Sequence, residues 1–167
     1  MDRTNWFLSL AGCGLAVGLG LLPGDVHAQR RDEPVGRVGN VQVFRVLEGG
    51  RFDRCYGMVP DFQLGARLFW KMGSDYILTV PGVERPGPKR VEIRTPRGVM
   101  QVTGRAEGGW QGRTIMTLPG AQAEQFISLR GAFEVNVEGV RFPYELRGAT
   151  MEQVFRAVED CVGRNSR

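Results

Sequence analysis

From residue 40 onward, apolar positions alternate with polar ones in short runs bounded by Gly, Pro, Asn or Asp. A period of two with that punctuation marks half-buried strands. The pattern predicts strands over 40–46, 54–60, 66–72 and 75–80, the last two flanking a hairpin turn at Gly73-Ser74. Residues 81–88 hold three prolines and two glycines and read as a loop. Strands follow over 90–95 and 99–104, joined by a turn at Pro96-Arg97-Gly98, and over 110–118 after Gly108-Gly109. Two more, 132–137 and 140–145, form a hairpin around Glu138-Gly139. Pro143 assigns the second of these to a sheet edge or a bulge, because proline cannot donate to a ladder.

The period changes in two places. Residues 121–129, after Pro119-Gly120, form a helical candidate. At the end, Thr150 with Gln153 makes a capping box, and Val154, Phe155, Val158, Cys161 and Val162 recur at helical spacing until Gly163. Together these elements predict a mainly β single domain over 40–163. It is a β sandwich or a partly open barrel, closed by a C-terminal helix, with 164–167 as a tail.

The first 28 residues follow another rule. Arg3 precedes an apolar run from Trp6 to Leu22, Pro23-Gly24 breaks it, and Val26-His27-Ala28 offers a cleavage site before Gln29. This is the layout of a secretory signal peptide. A rival feature is Leu10-Ala11-Gly12-Cys13, which has the form of a lipobox with Cys13 as the acylated residue. Residues 29–39, polar and charged with Pro34 and two glycines, read as a flexible lead-in. Cleavage leaves two cysteines, Cys55 and Cys161, and an even count in an exported chain reads as a disulfide. The expected location is the periplasm or the outside of the cell, with no transmembrane span in the mature form.

Composition then narrows the chemistry. The one histidine, His27, lies in the removable segment, so the mature chain offers no Ser-His-Asp or Cys-His machinery and little to bind zinc. No cofactor is expected. Glu134, Asn136 and Glu138 share one strand face, which alternation alone accounts for. Lys71 and Ser74 stand in the wrong order for a serine–lysine hydrolase, and Asp53, Asp61 and Asp75 do not form a calcium loop. Phe69, Trp70, Tyr76, Trp110 and Tyr144 fit core or cross-strand positions better than a ligand groove.

Charge is the less ordinary feature. The chain carries 22 basic and 18 acidic side chains, of which 21 and 16 follow residue 28. The excess of five lies in residues 85–113, where Arg85, Lys89, Arg90, Arg94, Arg97, Arg105 and Arg113 face only Glu92 and Glu107. A surface of arginines suits phosphate or carboxylate, so an anionic lipid, an acidic glycan or an acidic protein face is the expected partner. Nucleic acid suits the charge but not the compartment.

The stretch Phe-Pro-Tyr-Glu-Leu-Arg-Gly-Ala-Thr over 142–150, leading into a helix, resembles small exported bacterial β proteins of the invasion-associated locus B type. That resemblance implies a compact periplasmic β domain and carries over no catalytic residue. The expected function is that of an exported, non-catalytic accessory or binding protein of the bacterial envelope. A histidine-independent hydrolase or lyase and a structural subunit of an envelope complex are the alternatives.

Overall fold

A computed structural model of the chain describes residues 29–61, 65–83, 85–107 and 112–166. Residues 1–28, with Cys13 and His27, lie outside the described residues, as do Gly108, Gly109 and Trp110. The strands are β1 (Arg30–Val38), β2 (Val41–Glu48), β3 (Arg51–Val59), β4 (Ala66–Trp70), β5 (Tyr76–Pro81), β6 (Gly87–Thr95), β7 (Gly98–Ala106), β8 (Arg113–Leu118), β9 (Arg130–Val137) and β10 (Val140–Thr150). Two helices complete the set, α1 (Gly120–Ile127) between β8 and β9, and α2 (Met151–Asn165) at the end.

All strands pair antiparallel in one sheet of order β1-β2-β3-β4-β5-β8-β7-β6-β9-β10. The sheet curls until β10 meets the β1–β2 turn. There the Asn40 side chain takes the place of a partner strand: its Nδ2 donates to Glu145 O at 2.8 Å and its Oδ1 accepts from Arg147 N–H at 2.9 Å. The Asn40 backbone N–H adds a bond to Arg147 O at 2.9 Å. Gly39 is required at this seam, with φ +57°, because a Cβ would collide with the Arg147 carbonyl. The result is a partly open barrel. Since Glu145 and Arg147 point their peptide groups toward Asn40, Pro143 on the same alternation faces the open edge, where no donor is lost.

The inward residues of β2 through β10 form one core with Phe126 of α1 and Met151, Val154 and Phe155 of α2. The Thr150 capping box is present, with the Gln153 side chain bonded back to the Thr150 N–H. Along α2, a second buried cluster joins Val43 and Cys55 to Val158, Cys161 and Val162. Cys55 and Cys161 are disulfide-bonded across it. The helix sits close enough that a Cβ on Gly57 of β3 would lie 2.9 Å from a Val154 methyl.

Two readings are corrected. The segment 29–39 is not a flexible lead-in: it forms β1, paired with β2 from Arg30 to Val38. Its loop signals are absorbed by position, because Pro34 and Gly36 flank a register shift in an edge strand. The C-terminal helix does not stop at Gly163 but runs to Asn165. Glycine lowers helix propensity without ending a helix, and here the Asn165 and Ser166 side chains donate to the Cys161 and Val162 carbonyls of the last turn.

Candidate functional site

The alternation of β6 and β7 sorts the basic stretch. Val91 and Ile93 face inward, while Arg90, Glu92 and Arg94 face outward, and on β7 Gln101, Thr103 and Arg105 share that outer face. Lys89 falls on the inward parity. It is buried and donates to Glu138 Oε2 at 2.7 Å. Arg94 is occupied by Glu92 at 2.8 Å, and Gln101 holds the other Glu92 oxygen at 3.1 Å. Arg97 lies in the β6–β7 turn, at the opposite end of the hairpin from Arg85, which precedes β6 in an exposed bend.

The register brings two of the seven cations together. Arg90 pairs with Thr103 and Pro88 with Arg105, so Arg90 and Arg105 are diagonal neighbours on one face. Such positions are roughly 7–8 Å apart. Among the described residues, no carboxylate lies within ion-pair distance of either. The groove beside them, lined by Arg90, Glu92, Gln101, Val102 and Thr103, is shallow, about 550 Å³, and open to solvent.

Arg113 is drawn elsewhere. It reaches over β5, donating from Nε to Thr79 Oγ1 at 2.8 Å and from Nη2 to Thr79 O at 2.9 Å and Gly65 O at 2.6 Å. Burial, and then the guanidinium of Arg67, lower its pKa to about 10. Arg67 stands outside the basic stretch and escapes a charge count along the chain. Its outward parity in β4, between inward Ala66 and Leu68, is readable from sequence, but its neighbours are set by cross-strand register. Arg67 pairs with Thr79, Thr79 with Ile115, and Ile115 with Arg105, so one row across four strands connects the two groups of arginines. Three strand spacings separate its ends, about 14 Å.

A second row runs beside it on the same face. Phe44 stacks on Tyr56 with ring centroids 4.9 Å apart, and Phe69 tilts against the other side of the row, 4.8 Å from Tyr56. Arg67 lies over the Tyr56 ring at 5.5 Å, and Arg54 over Phe69 at 5.4 Å. Tyr56 donates to Asp32 Oδ2 at 2.9 Å, which in turn accepts from Arg30. Burial and that bond push the Tyr56 phenol up to about 12.

Among the described residues, two carboxylates have a displaced pKa, and both are lowered. Burial pulls Asp32 upward, but bonds from Arg30 and Tyr56 outweigh it. Glu92 is held down by Arg94 and then Gln101. A general acid needs the opposite displacement. Among the described residues there is no group of three or more His, Cys, Asp or Glu able to hold a metal, and no helix long and apolar enough to cross a membrane. The geometry thus describes a disulfide-bonded, barrel-like β domain whose outer face carries arginines in register. Comparison with protein-family models, curated proteins and solved structures gives no match.

Proposed function

We propose that this protein is an exported, non-catalytic binding module of the bacterial envelope, and that its β6–β7 face takes an anionic partner. The observation that carries this reading is the pair Arg90 and Arg105, side by side on one face with no carboxylate among the described residues within ion-pair distance, where Arg94 has its own. Guanidinium groups left in this state bind phosphate or carboxylate bidentately. The arrangement is shallow and open, which suits a surface partner rather than an enclosed substrate. Export is supported by the signal-like pattern of residues 1–28 and by a disulfide, which persists in an oxidising compartment. The resemblance of residues 142–150 to the invasion-associated locus B type agrees with this placement.

The test is cosedimentation with vesicles containing phosphatidylglycerol at low ionic strength. The wild type should be retained and released by added salt, since exposed charge pairs are screened. The Arg90→Gln/Arg105→Gln variant should fold normally by circular dichroism and lose at least tenfold in retention. Equal retention of the two proteins, or none by the wild type, would count against the reading.

A further inference from the structure

The outer face of β2–β5 and β8 carries apolar side chains where an antiparallel sheet facing water is ordinarily polar. Phe44, Met58, Phe69, Ile77 and Ile115 point outward and are half-buried, and none belongs to either buried core. Register sets them in two adjacent rows. One runs Gln42, Met58, Arg67, Thr79, Ile115 and Arg105, and the next runs Phe44, Tyr56, Phe69, Ile77 and Thr117. Neither row contains a carboxylate. The acids at their border, Asp32, Glu48 and Asp53, are met by Arg30 or Arg54. Arg67 stands among the apolar side chains, over the Tyr56 ring, with its Nε shielded and without a hydrogen-bond partner. No carboxylate among the described residues lies within ion-pair distance of it. The first row ends at Arg105, so the apolar sector is continuous with the β6–β7 face. On β6 and β9 the outward positions turn polar, with Arg90, Glu92, Arg94, Glu134 and Asn136.

We propose that this outer face of β2–β5 and β8 docks on a bilayer of anionic phospholipid, with Arg67 taking a lipid phosphate and Phe69, Ile77 and Ile115 resting against the acyl-chain boundary. The docking rests on the anionic partner inferred for Arg90 and Arg105, and gives that partner's class. Charge complementarity selects an anionic surface, because Arg67, Arg90 and Arg105 meet no acid while the acids around them are paired. Apolar contact selects the bilayer over a soluble polyanion, which would leave Phe69, Ile77 and Ile115 in water. A sugar ring would need an open aromatic face. Here Phe44 and Tyr56 stack on each other, and Phe69 tilts against Tyr56 with Arg54 over it, so the rings have little face to offer. A guanidinium beside aromatic and aliphatic side chains suits a membrane interface, where the charge stays at headgroup level and the apolar body lies below it. Arg113 takes no part in the contact, since its donors serve Thr79 and Gly65.

The test is binding to phosphatidylcholine vesicles with and without phosphatidylglycerol, beside binding to soluble poly-glutamate and to heparin. The wild type should bind the phosphatidylglycerol vesicles at least tenfold more tightly than either polyanion. Part of that binding should persist at high salt, because apolar contact is not screened. Phe69→Ser/Ile77→Ser, checked for folding by circular dichroism, should lose the salt-resistant part and weaken vesicle binding at least tenfold. Arg67→Gln should weaken it at least threefold. Phe69→Trp reads the contact directly: brominated phosphatidylcholine in the phosphatidylglycerol vesicles should quench the added indole beyond the quenching of the wild type. Loss of binding in both Phe69→Ser/Ile77→Ser and Arg90→Gln/Arg105→Gln supports the docking face and the β6–β7 reading together. Loss only in Phe69→Ser/Ile77→Ser supports the docking face and removes the β6–β7 reading. Loss only in Arg90→Gln/Arg105→Gln, with no added quenching, overturns the docking face and leaves the β6–β7 reading standing. Tighter binding to poly-glutamate or heparin than to vesicles identifies an acidic protein or glycan and overturns the docking face, as does a wild type that binds no vesicle.

Discussion

At the scale of single residues, tyrosine shows how position alters chemistry. The chain has three tyrosines, Tyr56, Tyr76 and Tyr144, and all three phenols are raised above their ordinary value. Burial is the first cause in each. A neighbouring carboxylate adds to it: Asp32 for Tyr56, Glu159 for Tyr76 and Asp61 for Tyr144. A group whose folded pKa lies above its unfolded value contributes stability that is complete below the unfolded value and is lost as pH rises through the folded one. For Tyr56 that window runs from 10 to about 12. Absorbance at 295 nm should therefore stay nearly flat between pH 10 and 11, where a free phenol goes from half ionised to about nine-tenths ionised. Tyrosinate should appear together with loss of the far-ultraviolet β signal. A phenol ionising near its ordinary value in folded protein would contradict this.

At the scale of elements, two glycines of similar appearance have opposite roles. Gly57 lies in β3 beneath α2, and a Cβ there would sit 2.9 Å from a Val154 methyl and 3.4 Å from a Val41 methyl. Gly163 lies within α2, and beyond the helix's own backbone nothing stands within 4 Å of where a Cβ would be. Gly57→Ala should destabilise the fold by about 1–3 kcal/mol through overpacking. Gly163→Ala should stabilise it by about 0.5–1 kcal/mol, since alanine gives up less entropy in a helix. Urea unfolding with an unchanged m-value checks both signs. From sequence, Gly163 read as a stop, while Gly57 fell inside the predicted strand over 54–60. Alternation and period located the elements themselves, including the β9–β10 hairpin and the inward stripe of α2, because each is a local property of spacing. The misread segment, β1, is an edge strand that is exposed over most of its length, so it lacks the apolar alternation by which strands are recognised.

At the scale of the molecule, the disulfide joins an early strand to the last helix across 106 residues. Closing a loop of that length removes entropy from the unfolded chain worth about 4–5 kcal/mol. Replacing both cysteines, Cys55→Ala with Cys161→Ala, should lower the melting temperature by roughly 10–20 °C. Reduction should act on the wild type alone, which calorimetry with and without reductant would show. A melting point that neither the double variant nor reduction moves would mean that α2 is held by packing alone.

The sequence by itself determined what depends on neighbours along the chain. The strand and helix periods, the inward faces, the capping box, the even cysteine pair and the absence of histidine after residue 28 are all of this kind. Tertiary structure decided which outward residues meet, because register between strands far apart in sequence is set by packing of the shared core. Of the seven cations in the basic stretch, parity sent Lys89 inside to Glu138, and register left Arg90 beside Arg105. Arg113 was carried across β5 to Thr79, and Arg67 was brought in from a strand 18 residues before the stretch began. A count of charge along the chain cannot find that last residue, since the row it belongs to exists only once β4, β5 and β8 lie side by side.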